Sequence, residues 1–213
     1  MENERRIDRT TSMGMDEHRL SDILHASQIK ATDIYETPPQ IIWIDNSTIA
    51  TLGNFSASTG KAKSKKTFNV SALVAASLAG KQVLNYRAHL PEGKQRILYV
   101  DTEQSRFHCR SVLERILRLA GLPTTTDPEN LDFFCLREYS PSVRIEVIDY
   151  ALRQQKGYGL VIIDGIRDLM LDINNAGESV EVINRMMEWS SRYDLHIHCV
   201  LHLNKGDNNV RGH

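Results

Sequence analysis

Hydrophobic and polar positions along the chain change period repeatedly, and the changes outline an alternating architecture. Residues 1 to about 14 have no period and are expected to be irregular. In "DEHRLSDILHASQI" the apolar residues Leu20, Ile23 and Leu24 recur at helical spacing. "ETPPQ" breaks that helix, and Pro38-Pro39 marks entry to the main domain, so the expected division is 1–39, a flexible or helical segment, and 40–213, the main domain. "IIWID" and "STIATL" read as strands on either side of a turn at Asp45-Asn46, and "NFSAST" as a short strand. "KTFNVSALVAASLAG" predicts a helix with Phe68, Leu73, Ala76 and Leu78 toward the core, stopped near Gly80. "RILYVD" is a strand, and "SRFHCRSVLERILRLAG" is an amphipathic helix carrying Val112, Leu113, Ile116, Leu117 and Leu119, with Gly121 just past its end. "LDFFCL", the Ser-Pro-started helix "SPSVRIEVIDYALRQQKG", "LVIID", the helix "ESVEVINRMMEWSSRYD" and "LHIHCVLHL" complete the series. Apolar strands separated by helices of this length predict a mostly parallel sheet covered on both faces, an α/β three-layer αβα sandwich. "NNVRGH" follows the last strand as a polar tail where such a domain normally adds another element, so the expected core is incomplete at its carboxyl end.

Composition narrows the class. With 213 residues the chain suits one domain with a sizeable core. No apolar run approaches the roughly 18–20 residues of a membrane span, and the charged N-terminus lacks a secretion signal's apolar stretch, so a cytoplasmic location is expected. Cys109, Cys135 and Cys199 are odd in number and without paired spacing, as for reduced, packed thiols. The net charge of −1 gives no general attraction to nucleic acid, so any such binding needs a local patch or an assembly.

The first candidate chemistry is "GKAKSKKTF", residues 60–68. A phosphate loop needs a strand, a turn of backbone N–H groups, a lysine for the β/γ-phosphates and a hydroxyl for Mg²⁺. Gly60, Lys66 and Thr67 occupy those places, with a strand before and a helix after. Lys65 stands where the loop pattern has glycine, and a solvated lysine run opening a helix is the bland alternative. A negative φ at Lys65 would let its side chain point away and preserve the cradle.

Later strand ends decide between these. "LVIIDGIRDL" places Asp164 after four apolar residues, at the carboxyl edge where open α/β sheets bind ligands. "RILYVDTEQS" ends with Asp101 and Glu103. Glu103 suits a base that polarises water, whereas Asp101 or Thr102 suits a helix cap. In "HIHCVLHLNKGDNNVRGH" the alternation puts His196, His198 and His202 on one face. Zinc is the minor reading, since no fourth ligand is evident, and packed histidines with His202 and Asn204 sensing phosphate is the favoured one. Lys205 and Arg211 follow on a loop, as contacts to nucleic acid or to a neighbouring subunit's phosphates, or as exposed charge.

With these motifs in order, the chain resembles the RecA-like P-loop ATPases, especially the branch of RepA-type and DnaB-type replicative helicases. "GKAKSKKT" looks like their Walker A motif, "YVDTEQS" like the strand end bearing the catalytic glutamate, "LVIIDGIRDL" like Walker B and "VLHLNKGDNNVRGH" like the sensor strand and loop. "GNFSASTGKAKSKKTF" is also similar to P-loop ATPases of Bacteroides-type mobile elements. The resemblance covers about residues 40–213. It implies an ATP- and Mg²⁺-dependent ATPase acting on DNA, single-stranded DNA foremost, with hexameric rings in the full-length protein. The nucleotide cradle would be Gly60, Lys61, Ala62, Lys63, Ser64, Lys65, Lys66, Thr67 and Phe68. It further implies Lys66 on the β/γ-phosphates, Thr67 and Asp164 at Mg²⁺, Glu103 as general base and His202 as sensor. Lys65 motivates the alternative of a nucleotide-binding regulatory module that hydrolyses little. A small-molecule kinase fits less well, because no arginine-rich lid segment is evident.

Overall fold

The computed structural model describes residues 16–60, 65–172 and 176–202. Two compact units divide between Thr37 and Pro38. In the first, α1 (Glu17–Ser27) begins where Asp16 accepts a hydrogen bond from the Arg19 amide at 2.8 Å, satisfying one of the first turn's open donors. None of its residues is buried, although Leu20 and Leu24 have the spacing of a packed face.

The second unit contains β1 (Gln40–Ile44), β2 (Ser47–Thr51), β3 (Phe55–Gly60), α2 (Lys66–Ala79), β4 (Tyr86–Ala88), β5 (Arg96–Asp101), α3 (Arg106–Ala120) and β6 (Leu131–Cys135). It continues with α4 (Pro141–Gln154), β7 (Tyr158–Asp164), a single 3₁₀ turn (Ile166–Leu169), α5 (Ala176–Tyr193) and β8 (His196–His202). Five strands form an all-parallel sheet in the order β3-β8-β7-β5-β6. The first strand pair and β4 form a separate antiparallel sheet, β2-β1-β4, in which Arg87 lies over the Trp43 ring at 4.5 Å. The sequence pattern contains no signal for β4, a three-residue strand too short to show a period.

Alternation along the central strands feeds two cores. Ile97, Tyr99, Leu160 and Ile162 join Leu73 and Val74 of α2, Val112 and Ile116 of α3, and Ile41 and Ile42 of β1. Leu98, Val100, Val161 and Ile163 face Ile148 and Leu152 of α4 and Met186 and Trp189 of α5. Burial on both faces is why these strands are continuous apolar runs, and it establishes the three-layer αβα arrangement. Phe68 departs from the expected core face: it is 40% exposed, while Lys66, two residues earlier, is buried. Among the described residues no helix is long and apolar enough to cross a membrane.

Parallel pairing aligns the strand ends. Asp101 pairs with Asp164 and with Cys135, and Gly60 pairs with His202. Every strand of the sheet therefore delivers its last residue to one edge, and the site is built there.

Candidate functional site

Helix α2 opens at that edge, and its amino end presents N–H groups and the positive end of its dipole. Lys66 is 7% exposed, and its Nζ donates to the Gly60 carbonyl at 2.6 Å, which folds the lysine back to the end of β3. Thr67 follows, half-buried in the first turn. Lys65 is exposed, with φ +60° and ψ 25°, the left-handed conformation. The backbone thus adopts the conformation glycine takes freely, rather than the negative φ under which a lysine would be unstrained. The lysine Cβ makes this cost about 1–2 kcal/mol. Lys65→Gly removes that strain but adds unfolded-state entropy of about 0.5–1 kcal/mol. A net gain of about 0.5–1 kcal/mol in urea unfolding is expected; no gain would show that the lysine is unstrained. Lys61, Ala62, Lys63 and Ser64 lie outside the described residues.

Opposite the helix stand the acids. β8 separates β3 from β7, so at about 4.8 Å per strand their ends are about 10 Å apart. Asp164 is 2% exposed and accepts from Tyr99 Oη at 2.9 Å. Burial, then the Asp101 charge, push its carboxyl up to about 6, while the Tyr99 hydrogen bond and Lys66 pull the other way. Asp101 acts as a turn cap. Its Oδ1 accepts from the Glu103 and Gln104 amides at 3.0 and 2.8 Å, and its Oδ2 accepts from Gln104 Nε2 at 2.7 Å. Glu103 therefore sits in a pinned turn ahead of α3, not in that helix's first turn.

The Glu103 carboxyl is pushed up to about 7, first by partial desolvation and then by Asp168, Asp164 and Asp101, with Lys66 opposing. Its side chain as a whole remains exposed, so water reaches it. A carboxylate near neutrality and open to water is well matched to accepting a proton. Asp168 and Tyr99 were not singled out by sequence reasoning, and Thr102 was read only as a helix-cap candidate, whereas Ser105 caps that helix. Asp168 returns to the site because Gly165 (φ +101°) turns the chain into the 3₁₀ turn. There Thr102 Oγ1 lies 2.8 Å from the Gly165 carbonyl, 3.0 Å from the Asp164 carbonyl and 3.1 Å from Asp168 Oδ2. The available signal was "DGIRDL", in which glycine after the strand-end acid permits a tight return.

The histidines of β8 resolve into a hydrogen-bond chain. His196 Nδ1 lies 2.9 Å from the Thr51 carbonyl, which can only accept, so Nδ1 carries the proton and Nε2 accepts from Ser56 Oγ at 2.8 Å. Ser56 Oγ then accepts from His198 Nδ1 at 2.8 Å, and His198 Nε2 accepts from Ser58 Oγ at 2.9 Å. Burial lowers both histidines to about 4, keeping them neutral. They are packing groups of β3 and β8, and among the described residues no cluster of three or more His, Cys, Asp or Glu is arranged to hold a metal ion. His202 ends β8 beside Gly60, and its side chain lies outside the described set, as do Asn204, Lys205 and Arg211.

The site thus combines a strand, a lysine-bearing helix start, and a buried acid two strands away. These define a P-loop nucleotide-binding ATPase core. A family model described as an AAA domain matches residues 20–208, most of the chain, and the protein belongs to that family of P-loop ATPases. No curated protein matches the chain. The donor set also fits Mg²⁺: a threonine hydroxyl and one deep carboxylate are hard oxygen ligands, and this ion takes its remaining ligands from water and substrate phosphates.

Proposed function

We propose that this protein binds ATP with Mg²⁺ and hydrolyses it to drive work on DNA, in replication, unwinding or mobilisation of a plasmid or transposon. The observation that carries the reading is the convergence of buried Lys66 with Asp164 and Glu103 at one sheet edge, close enough that Lys66 acts on both carboxyls. Residues 60–68 cradle the phosphates, with Lys66 on the β/γ-phosphates. Thr67 and Asp164 would hold the metal directly or through water. When bound there, Mg²⁺ would neutralise charge on the transferring phosphoryl group. Glu103 takes a proton from the attacking water as its oxygen bonds to the γ-phosphorus, and the bond to the β–γ bridging oxygen breaks. His202 is the phosphate sensor, and Lys205 and Arg211 contact DNA or a neighbouring subunit's phosphates. The assembly is a homo-oligomer, hexameric by resemblance.

The second reading, a nucleotide-bound module with little turnover, rests on Lys65. Its φ of +60° is not the negative value on which the expectation of an intact cradle rests; it is the left-handed conformation that glycine adopts without strain, so turnover and not the backbone of this residue decides between the readings. ATP turnover and binding of the full-length protein, with and without single-stranded DNA, separate the two. Glu103→Gln is expected to keep ATP affinity and lose about 10²-fold or more in turnover. Lys66→Ala is expected to lose binding. Tight ATP binding by the parent with no turnover, with or without DNA, would replace the first reading by the second.

A further inference from the structure

The half of the site that carries the acids is held together from outside by one guanidinium. Arg144, half-buried in the first turn of α4, spends three donors on three different carbonyls. Its Nε donates to Leu136 O at 3.0 Å, its Nη2 to Arg137 O at 2.7 Å, and its Nη1 to Asp168 O at 2.5 Å. The Leu136 amide in turn donates to the Asp101 carbonyl at 2.8 Å, and Asp101 pins the turn that bears Glu103. Arg144 therefore joins both supports of the acid cluster. One is the 3₁₀ turn that presents Asp168, and the other is the end of β5 that presents Glu103. It also ties them to the loop 136–140, where Tyr139 is exposed.

We propose that Arg144 is a positioning residue for the hydrolysis inferred above, holding the Asp168 turn and the Glu103 turn in register and coupling both to the loop 136–140. The chemistry requires arginine. A planar guanidinium aims donors on three separate nitrogens in fixed directions, whereas lysine brings its three donors to one nitrogen and lacks that preset fork. Among the described residues the hydrogen bonds of Arg144 go to Leu136, Arg137 and Asp168 and none to Gly60 or to α2, so its loss should alter the chemical step and leave nucleotide affinity alone.

The test uses the full-length protein, with Arg144→Lys, Asp168→Ala and the double variant, and ATP as substrate. The expected result for Arg144→Lys is a fall in kcat of about tenfold, with KM for ATP within about twofold. Asp168→Ala should show a similar fall, and the double variant should be no worse than the poorer single. Amide hydrogen exchange supplies a readout independent of hydrolysis. In Arg144→Lys, exchange should rise at 102–104 and 166–170 with the remaining sheet unchanged. A parent that does not turn over ATP would refute the hydrolysis reading alone, and the exchange pattern would still decide the coupling. The proposal is overturned by additive losses in the double variant, by a kcat unchanged in Arg144→Lys, or by exchange that rises only around 136–144 or uniformly. Should Arg144→Lys fold poorly, Arg144→Ala with added guanidinium decides instead. Rescue of kcat supports positioning, and rescue of melting temperature without kcat overturns it.

Discussion

Gly165→Ala is expected to remove ATP turnover while leaving most of the sheet intact. The residue sits at φ +101°, where a side chain is strained by about 1–3 kcal/mol. An added Cβ would lie 2.3 Å from Thr102 Oγ1, 2.7 Å from Glu103 Cγ and 3.0 Å from Asp168 Oδ2. Glu103 is exposed and can swing away, but swinging removes the proposed base from its place. Thr102 is 1% exposed, and its hydroxyl is engaged by the carbonyls of Asp164 and Gly165, so it yields only by breaking those bonds. Strain and crowding together should cost about 2–4 kcal/mol in urea unfolding. Displacement of the base should cost about 10²-fold or more in single-turnover hydrolysis. Gly93→Ala is the control: its φ is +75°, nothing lies within 4 Å of the added Cβ, and it precedes β5 at the opposite edge. It should lose about 1 kcal/mol and no activity. Gly165→Ala with parental turnover would show that the three side chains need no fixed relation.

The second large effect concerns acid. His196 and His198 are lowered to about 4 in the folded state against an ordinary 6.5. Between those values the unfolded chain binds protons that the folded chain does not, so stability is full above about pH 6.5 and falls as pH drops toward 4. From pH 7 to 5 the loss is on the order of 2 kcal/mol for each histidine. Asp164, raised to about 6, works in the opposite direction. The folded state takes up its proton first, so this carboxyl adds stability as pH falls through 6, on the order of 1 kcal/mol by pH 5. Glu103, raised to about 7, acts in the same sense, with its contribution reduced by exposure. The parent should therefore show only a shallow loss between pH 7 and 5. Asp164→Asn should steepen that loss by about 1 kcal/mol, and His198→Asn should flatten or reverse it. Urea midpoints at the two pH values measure this. A His198→Asn slope equal to the parent's would mean that His198 is not held neutral by burial.

Both effects depend on relations the linear pattern carries only in part. Strands β5 and β7 were legible because burial on both faces makes them unbroken apolar runs, and a polar residue ending such a run must lie at the sheet's edge. Asp101 and Asp164 were placed on that ground alone. Phe68 was misplaced because helical periodicity gives the spacing of a face but not its direction. At the first turn of α2 the inward position belongs to Lys66, whose charge has partners inside. The three histidines read equally well as ligands or as packing. Ser56 and Ser58, more than a hundred residues away in the chain, decide for packing by supplying hydrogen bonds across the β3–β8 pairing.

By itself, then, the order of apolar runs, glycines and strand-end acids determined an α/β domain with a phosphate loop, because period and local turn chemistry are properties of neighbours in sequence. Tertiary structure alone decided which strands lie side by side, and so that Lys66 and Asp164 face each other across β8. It decided that Asp168 joins Glu103, and that Arg144 bonds the Asp168 carbonyl and the segment that follows β6. These are contacts between distant segments, chosen by how two cores pack and by which buried carbonyls need a donor, and no local pattern records them. Lys65 lies between the two. The sequence marks it as a departure from glycine, and only the fold shows that its backbone adopts the left-handed conformation that glycine takes without strain.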